Sequence, residues 1–595
     1  MTTRLAILLL AAVPARAAAQ DAAPADTTTA ACEDGVVSVV FVDNHSIFDT
    51  SDPDLDKRLS FVYRLANSLH VRTREDVIRR EILVRPGDCY DPAMLEESER
   101  LLRGLDFLSR VDVFGLRQPD STWHVIVDTQ DEWSTRVDVR LALDDGLDFR
   151  GVRIGEFNVL GTGREVEFFL LERDANREYG VGYATPQLLG TRWDLDFSFG
   201  RTRAGSFARQ SLAYPFVGEV GRWAARQGFR RDDRFFDYVI DGDDEEHVLL
   251  PTRDKGFDVA VVGRRGEIGR LTTFGAAISF VELTHPGGIG AAEHVQGDDF
   301  DDPTPLDPAL AQPILRQMSE LNSLRLLLLL GRRNVWWVKR QGLDALRGEQ
   351  DVRLGNEVEV ALGRSLPGRA DDDEALGSLA FYSAAEMGEL LLAGRLRADG
   401  RRDLDAGDGT EAWRDLIADA ELLGYWRPSA TARHTVVFRA SGAGGWETRT
   451  PFQLTLGGDL GVRGYDRHRF PGGRRVLFTL EDRVYFGWPY PDVLDVGGTV
   501  FLDVGRVWPG DAPFGVDSGW KSAIGLGLRG SFPAGGRNTY RVDLAFPLEH
   551  GAGLKDVRLV VSVGELLGLA SDAREGRLRE ARSIRGAGDL FHFPR

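Results

Sequence analysis

From about residue 133 onward the chain alternates apolar and polar residues with a period of two. In RVLFTLEDRVYF the even positions carry Val476, Phe478, Leu480, Asp482, Val484 and Phe486, and the odd ones include Arg475, Thr479, Glu481, Arg483 and Tyr485. SAIGLGLRG sets Ile524, Leu526 and Leu528 against Ala523, Gly525, Gly527 and Arg529, and YRVDLAF sets Tyr540, Val542, Leu544 and Phe546 against Arg541, Asp543 and Ala545. DVRLVVSVG repeats the pattern with Val557, Leu559, Val561 and Val563. Such a repeat sends successive side chains to opposite faces of a strand. Here one face is almost purely aliphatic and aromatic, while the other mixes charges with glycine. That division suits a transmembrane β-barrel with lipid outside and a polar lumen inside. A soluble sandwich would need turns of more even length. Here the acidic stretches 232–247, 284–320 and 368–375 contrast with turns as short as LGTG at 160–163. The expected fold is mostly β: an antiparallel barrel over 133–568, with its last five strands near 474–487, 497–508, 522–532, 538–548 and 556–565.

Residues 36–132 have a different texture. VVSVVFV at 36–42 reads as a buried strand, followed by helices near 54–68 and 75–84. A third helix starts at Asp91 as N-cap with Pro92 in the first turn, and Met94, Leu95, Leu101, Leu102 and Leu105 make its apolar stripe. Two alternating strands, SRVDVFG at 109–115 and WHVIVDT at 123–129, complete a small α/β unit.

The N-terminus changes the address. Arg4, the apolar run Leu5 to Val13 and Ala17-Ala18-Ala19 form a secretory signal peptide over 1–19. A small, polar leader follows at 20–35. Export permits a disulfide between Cys32 and Cys89, the chain's two cysteines. The sequence leaves open whether they are bonded or are two unrelated buried thiols. A formal charge of −19 argues against nucleic acid as a partner. No HExxH, GxSxG, Walker or CxxC pattern occurs. DLDAGDGTEAWR at 403–414 lacks the glycine and final acid of a calcium loop, so neither an enzyme nor a cofactor is expected.

Five arginines crowd GGDLGVRGYDRHRFPGGRR at 457–475. By the parity above, Glu481 faces the lumen from the next strand, and Asp503 does so from VFLDVGRVW. Two carboxylates buried without a cation would be costly, and an arginine from a loop folded back into the lumen suits both.

VRGY (Val462, Arg463, Gly464, Tyr465), the following acidic strand and the Phe501, Asp503, Gly505 set together resemble the Omp85 superfamily of outer-membrane proteins, the surface antigen D15 group. NVLGTG at 158–163 resembles that family's first periplasmic turn, and residues 36–132 look like a single POTRA domain. The resemblance implies a sixteen-stranded barrel in the cell outer membrane with the POTRA domain in the periplasm. It also implies a lumenal clamp in which Arg463 contacts Glu481 and Asp503. Candidate strands between 133 and 445 exceed the eleven that sixteen allows, which makes part of 376–426 extracellular hairpins or the barrel larger. Residues 569–595, with a charged helix at 571–583 and GAGDLFHF at 586–593, are read as a periplasmic tail.

By resemblance the function is insertion, assembly or translocation of proteins at the outer membrane. The expected partners are outer-membrane lipids, lipopolysaccharide and unfolded or secreted proteins, the latter added to a POTRA edge strand near 109–115. The barrel is expected to be monomeric. The rival readings are a partner-specific secretion pore and a passive or lipid-handling barrel.

Overall fold

A computed structural model describes residues 32–50, 57–143, 147–173, 176–240, 246–297, 303–407, 412–429, 431–459, 461–549, 551, 553, 556–563, 569 and 576–584. The signal peptide and GAGDLFHF lie outside these residues.

The N-terminal unit is a three-stranded sheet covered by helices. Its strands are β1 (Val37–His45), β2 (Leu108–Arg117) and β3 (Trp123–Asp131) in the order β1-β3-β2, with β1 parallel to β3 and β2 antiparallel to it. The helices are α1 (Ser60–Leu69), α2 (Glu75–Glu81) and α3 (Pro92–Arg103). The Asp91 side chain caps α3 by accepting from the Ala93 amide at 2.9 Å. This orientation drives Leu95 and Leu102 into a core with Val77, Ile78, Phe107, Val111 and Val125. Cys32 and Cys89 are bonded, with Cα atoms 5.3 Å apart, which ties the start of β1 to the segment before α3.

The rest of the chain closes into a barrel. The first nine wall strands are β4 (Thr135–Leu143), β5 (Leu147–Glu156), β6 (Glu165–Arg173), β7 (Asn176–Thr185), β8 (Asp194–Thr202), β9 (Gly205–Tyr214), β10 (Trp223–Val239), β11 (Glu246–Glu267) and β12 (Arg270–Thr284). The short β13 (Glu293–Gln296) and β14 (Thr304–Pro305), with helix α4 (Pro308–Leu315), elaborate the extracellular rim. The wall resumes with β15 (Leu321–Gln341), β16 (Glu349–Ala370), β17 (Glu374–Met387), β18 (Leu390–Asp403), β19 (Trp413–Trp426) and β20 (His434–Trp446). A hairpin of β21 (Leu454–Leu456) and β22 (Phe470–Gly472) interrupts it. The wall then ends with β23 (Arg474–Tyr485), β24 (Asp495–Trp508), β25 (Lys521–Ser531), β26 (Tyr540–Pro547) and β27 (Arg558–Val563). With the four short strands β13, β14, β21 and β22 set aside, the barrel has twenty wall strands.

Twenty replaces the expected sixteen. Part of the difference lies in the segments read as extracellular hairpins: β17, β18 and β19 pair continuously within the wall. Residues 232–247 are not one long loop either, because β10 and β11 run through most of them. On the outer face, the cross-strand ion pair Arg253–Asp233 suits strands that rise above the lipid. The last five strands match the reading to within a few residues, and their parity holds. Phe478, Leu480, Val500, Leu526 and Leu528 lie on the exposed face, while Thr479, Glu481, Asp503 and Arg529 are buried in the lumen.

Closure is uneven. β23 and β24 pair along the whole length of β23. In contrast, β27 and β4 share two residue pairs among the described residues, Leu559 with Leu143 and Val560 with Ala142. Among the described residues β27, with six, is the shortest wall strand.

The POTRA-like unit docks on the periplasmic mouth. Arg537, in the β25–β26 turn, donates to the Leu105 and Leu108 carbonyls at 2.7 and 2.8 Å. Arg103 forks onto Asp351 at 2.8 and 2.9 Å, and the Arg74 amide donates to the Gly161 carbonyl at 2.8 Å. Gly161 sits at φ +70° where a Cβ would meet the Arg72 carbonyl oxygen at 2.3 Å, so the NVLGTG turn needs glycine there.

Candidate lumenal clamp

The loop between β20 and β23 enters the lumen rather than projecting outward. Its apolar residues drive this: Val462, Tyr465, Leu456 and Phe470 pack with Leu477, Val507 and Ala523 of the inner wall. The Tyr465 amide donates to the Val462 carbonyl at 3.1 Å and tightens the turn around Arg463. Gly464 lies flush with the wall, where an added Cβ would stand 2.7 Å from Ala523 Cβ and 2.8 Å from the Pro547 nitrogen. VRGY therefore presents arginine inward with no side chain at the following position to hold it off.

The Arg463 side chain is 2% exposed. Its Nε and Nη2 donate to the two carboxylate oxygens of Asp503 at 2.7 and 2.9 Å. Nη1 reaches Glu481 Oε1 at 2.8 Å and Asp543 Oδ2 at 3.2 Å. The guanidinium lies 3.4 Å from the Phe501 ring centroid, a cation–π contact in a site closed to water. Burial alone would lower the arginine's pKa, but Asp503 and then Glu481 outweigh it and hold it above the ordinary value. One loop side chain thus engages strands β23, β24 and β26.

The structure brings Arg463, Glu481 and Asp503 together. Sequence reasoning missed Asp543 and the surrounding cations. Asp543 also accepts from Arg529 at 2.8 Å and from Arg541, and Glu481 accepts from Arg483 at 3.1 Å. Parity had placed Asp543, Arg529 and Arg541 on the polar face, and that was the available signal. What was lacking was the stagger that brings β26 level with β24. Arg475, a second arginine of the same stretch, is also buried and donates to the Thr455 carbonyl at 2.6 Å. Asp466 of the loop pairs with Arg558 at the start of β27.

Glycines on the wall make room for this cluster. A Cβ at Gly525 would fall 2.0 Å from Phe501 Cζ, and one at Gly527 would fall 2.1 Å from Asp543 Oδ1.

The C-terminal segment departs from the expected periplasmic tail. The Leu569 amide donates to the Tyr425 hydroxyl at 3.2 Å, and helix α5 (Gly576–Ile584) lies inside the lumen. Leu578 and Ala581 pack on Ile417, Phe452 and Leu454, which belong to β19 and to the inserted loop.

Residues 68–132 match the POTRA family, described as "Surface antigen variable number repeat". Among solved structures, CdiB from Escherichia coli aligns over 89% of this chain and 90% of its own, at 11% identity and a TM-score of 0.41. BamA from Haemophilus ducreyi lacking POTRA domains 1–3 aligns over 88% and 84%, at 11% identity and a TM-score of 0.38. The comparison with curated proteins gives no match. Among the described residues, no group of three or more His, Cys, Asp or Glu side chains is placed to hold a metal ion.

Proposed function

We propose that this chain is an Omp85-type outer-membrane protein with its POTRA domain in the periplasm, and that it assists the insertion of β-barrel proteins at the seam between β27 and β4. The observation that carries this reading is the contrast, among the described residues, between the two pairs that β27 makes with β4 and the full-length register of β23 with β24. A seam held by fewer main-chain pairs opens with less loss. A substrate strand can then add to either free edge by main-chain hydrogen bonding. The occupied lumen supports a lateral route over a through-pore, because the inserted loop and α5 both stand in the axial path.

The POTRA edge supports delivery. Among the described residues β2 pairs with β3 alone, so its other edge is open to an extended segment. The role is non-enzymatic, and the barrel acts as a monomer among outer-membrane lipids and lipopolysaccharide. Arg463, Glu481 and Asp503, joined by Asp543, act as a clamp that fixes the loop and keeps the strands beside the seam in register. The Cys32–Cys89 bond secures the POTRA unit at the start of β1.

Depletion of the protein followed by outer-membrane proteomics tests the reading. Selective loss of several β-barrel proteins is expected. Loss of a single secreted protein with β-barrels unchanged would instead assign a partner-specific secretion pore, and no change in either would assign a passive barrel.

A further inference from the structure

Helix α5 is an unusual occupant of a barrel. It has nine residues, too few for an isolated helix to hold its shape in water, so its contacts with the wall must hold it. Those contacts are mainly ionic and come from distant strands. Arg577 donates to the Asp237 carbonyl at 3.0 Å and approaches its carboxylate at 3.4 Å on β10. Arg582 engages Asp399 of β18 and Asp419 of β19. Glu580 returns one contact of opposite sign, to Arg234 at 3.1 Å, and Arg230 donates to the Ser583 carbonyl. The apolar anchors are small, Leu578 and Ala581. Arg577 and Arg582 are both buried, whereas Arg579 between them is exposed to the lumen. The helix therefore bridges two separate stretches of wall, Asp237 on β10 and Asp399 with Asp419 on β18 and β19, with five wall strands between β10 and β18. Its two arginines stand about a turn and a half apart with an apolar contact between them.

We propose that Asp237 on one stretch of the lumen wall and Asp399 with Asp419 on another together form a docking site for arginine-bearing amphipathic segments that bridge them, filled in cis by α5. The tail then excludes from the lumen any segment of the same character until that segment outcompetes it. This names the chemistry of a substrate segment that the lumen admits, and in that respect it rests on the insertion reading; the docking itself does not. Arginine suits the site because its fork stays charged when buried and spans two carboxylates, as Arg582 does here.

The test uses a labelled synthetic peptide of residues 569–595 and the purified full-length chain in detergent or liposomes. Wild type is expected to bind the peptide weakly, because α5 holds the site. Arg577→Asp with Arg582→Asp in the full chain should release the helix and tighten peptide binding at least tenfold. Adding Asp399→Arg to that variant should abolish the gain, and a peptide carrying the same two aspartates should not bind. A heat-dependent mobility shift between unheated and boiled samples in cold gel electrophoresis confirms that each variant is folded, and the pair Arg582→Asp with Asp399→Arg should restore the weak wild-type binding. Equal binding by wild type and the released variant, or binding insensitive to Asp399→Arg, would overturn the proposal. A protein that binds the peptide as expected yet leaves β-barrel assembly unaffected on depletion would overturn the insertion reading and leave the docking site standing.

Discussion

Arg463→Ala is the most informative substitution because its cost does not fall evenly on the clamp. Glu481 keeps Arg483 as a partner, and Asp543 keeps Arg529 and Arg541. Asp503 receives its guanidinium contacts from Arg463 and otherwise accepts the Thr479 hydroxyl at 2.9 Å and the Arg463 backbone amide at 3.3 Å, neither of which carries charge. The substitution thus strands a carboxylate that is fully buried. Breaking a buried ion pair by removing one partner costs about 3–5 kcal/mol, which corresponds to a loss between roughly a hundredfold and a few thousandfold in the folded-to-unfolded ratio. The assay is urea unfolding of the purified barrel in detergent, read by tryptophan fluorescence, with the heat-dependent gel shift as an independent readout. Arg463→Lys should recover part of the stability, since it keeps the charge and loses the fork. Adding Asp503→Asn to Arg463→Ala should remove the stranded charge and recover about 1 kcal/mol or more, a non-additivity expected for residues in direct contact. Arg467, exposed on the same loop, supplies the control. An Arg463→Ala midpoint no lower than that of Arg467→Ala, or a strictly additive double variant, would refute the clamp.

Three further outcomes follow from other parts of the molecule. Replacing both Cys32 and Cys89 by serine opens a covalent loop with a sequence separation of 57 and should cost the POTRA unit about 4 kcal/mol by loop entropy; an unfolding midpoint unmoved by this change or by reductant would contradict it. Gly525→Val should destabilise the barrel by about 1–3 kcal/mol through overpacking against the Phe501 ring, checked by the same urea titration, while Gly290→Val, where nothing lies within 4 Å, should change little. Glu132 is buried at the junction of POTRA and barrel, and burial, only partly offset by Arg537, raises its pKa above the ordinary 4.5. The folded state therefore binds the proton more tightly, so Glu132 favours folding below about pH 4.5 and this contribution is lost as pH rises through the raised value. Glu132→Gln should flatten that part of the pH profile of POTRA docking, measured by hydrogen exchange at 103–108, and identical profiles for the two proteins would exclude it.

Much of the architecture was legible because the bilayer imposes a simple rule on strands. The alternation in RVLFTLEDRVYF separated Phe478 and Leu480 from Thr479 and Glu481, and the same parity put Asp503 inside. The POTRA unit was equally readable, since Asp91, Pro92 and the leucine stripe of α3 are local signals. What could not be read depends on relations between distant strands. The number of wall strands turns on whether alternating segments such as LLLAGRLRAD pair in the wall or above it, and alternation is the same in either case. Asp543 joins Arg463 only through barrel stagger. Helix α5 looked like a solvated tail because it is rich in arginine, yet the partners of Arg577 and Arg582 lie 340 and 183 residues away.

The central claim is that the β27–β4 seam opens, and a staple across it tests that claim most directly. Leu143 and Leu559 are directly paired across the seam, so cysteines at both positions can bridge it under oxidising conditions. The measurement is insertion of a radiolabelled β-barrel substrate into liposomes carrying the full-length protein, with and without reductant. The account predicts that the oxidised Leu143→Cys, Leu559→Cys protein is inactive and that reductant restores activity to the level of either single variant. Full insertion activity with the seam covalently closed would contradict it.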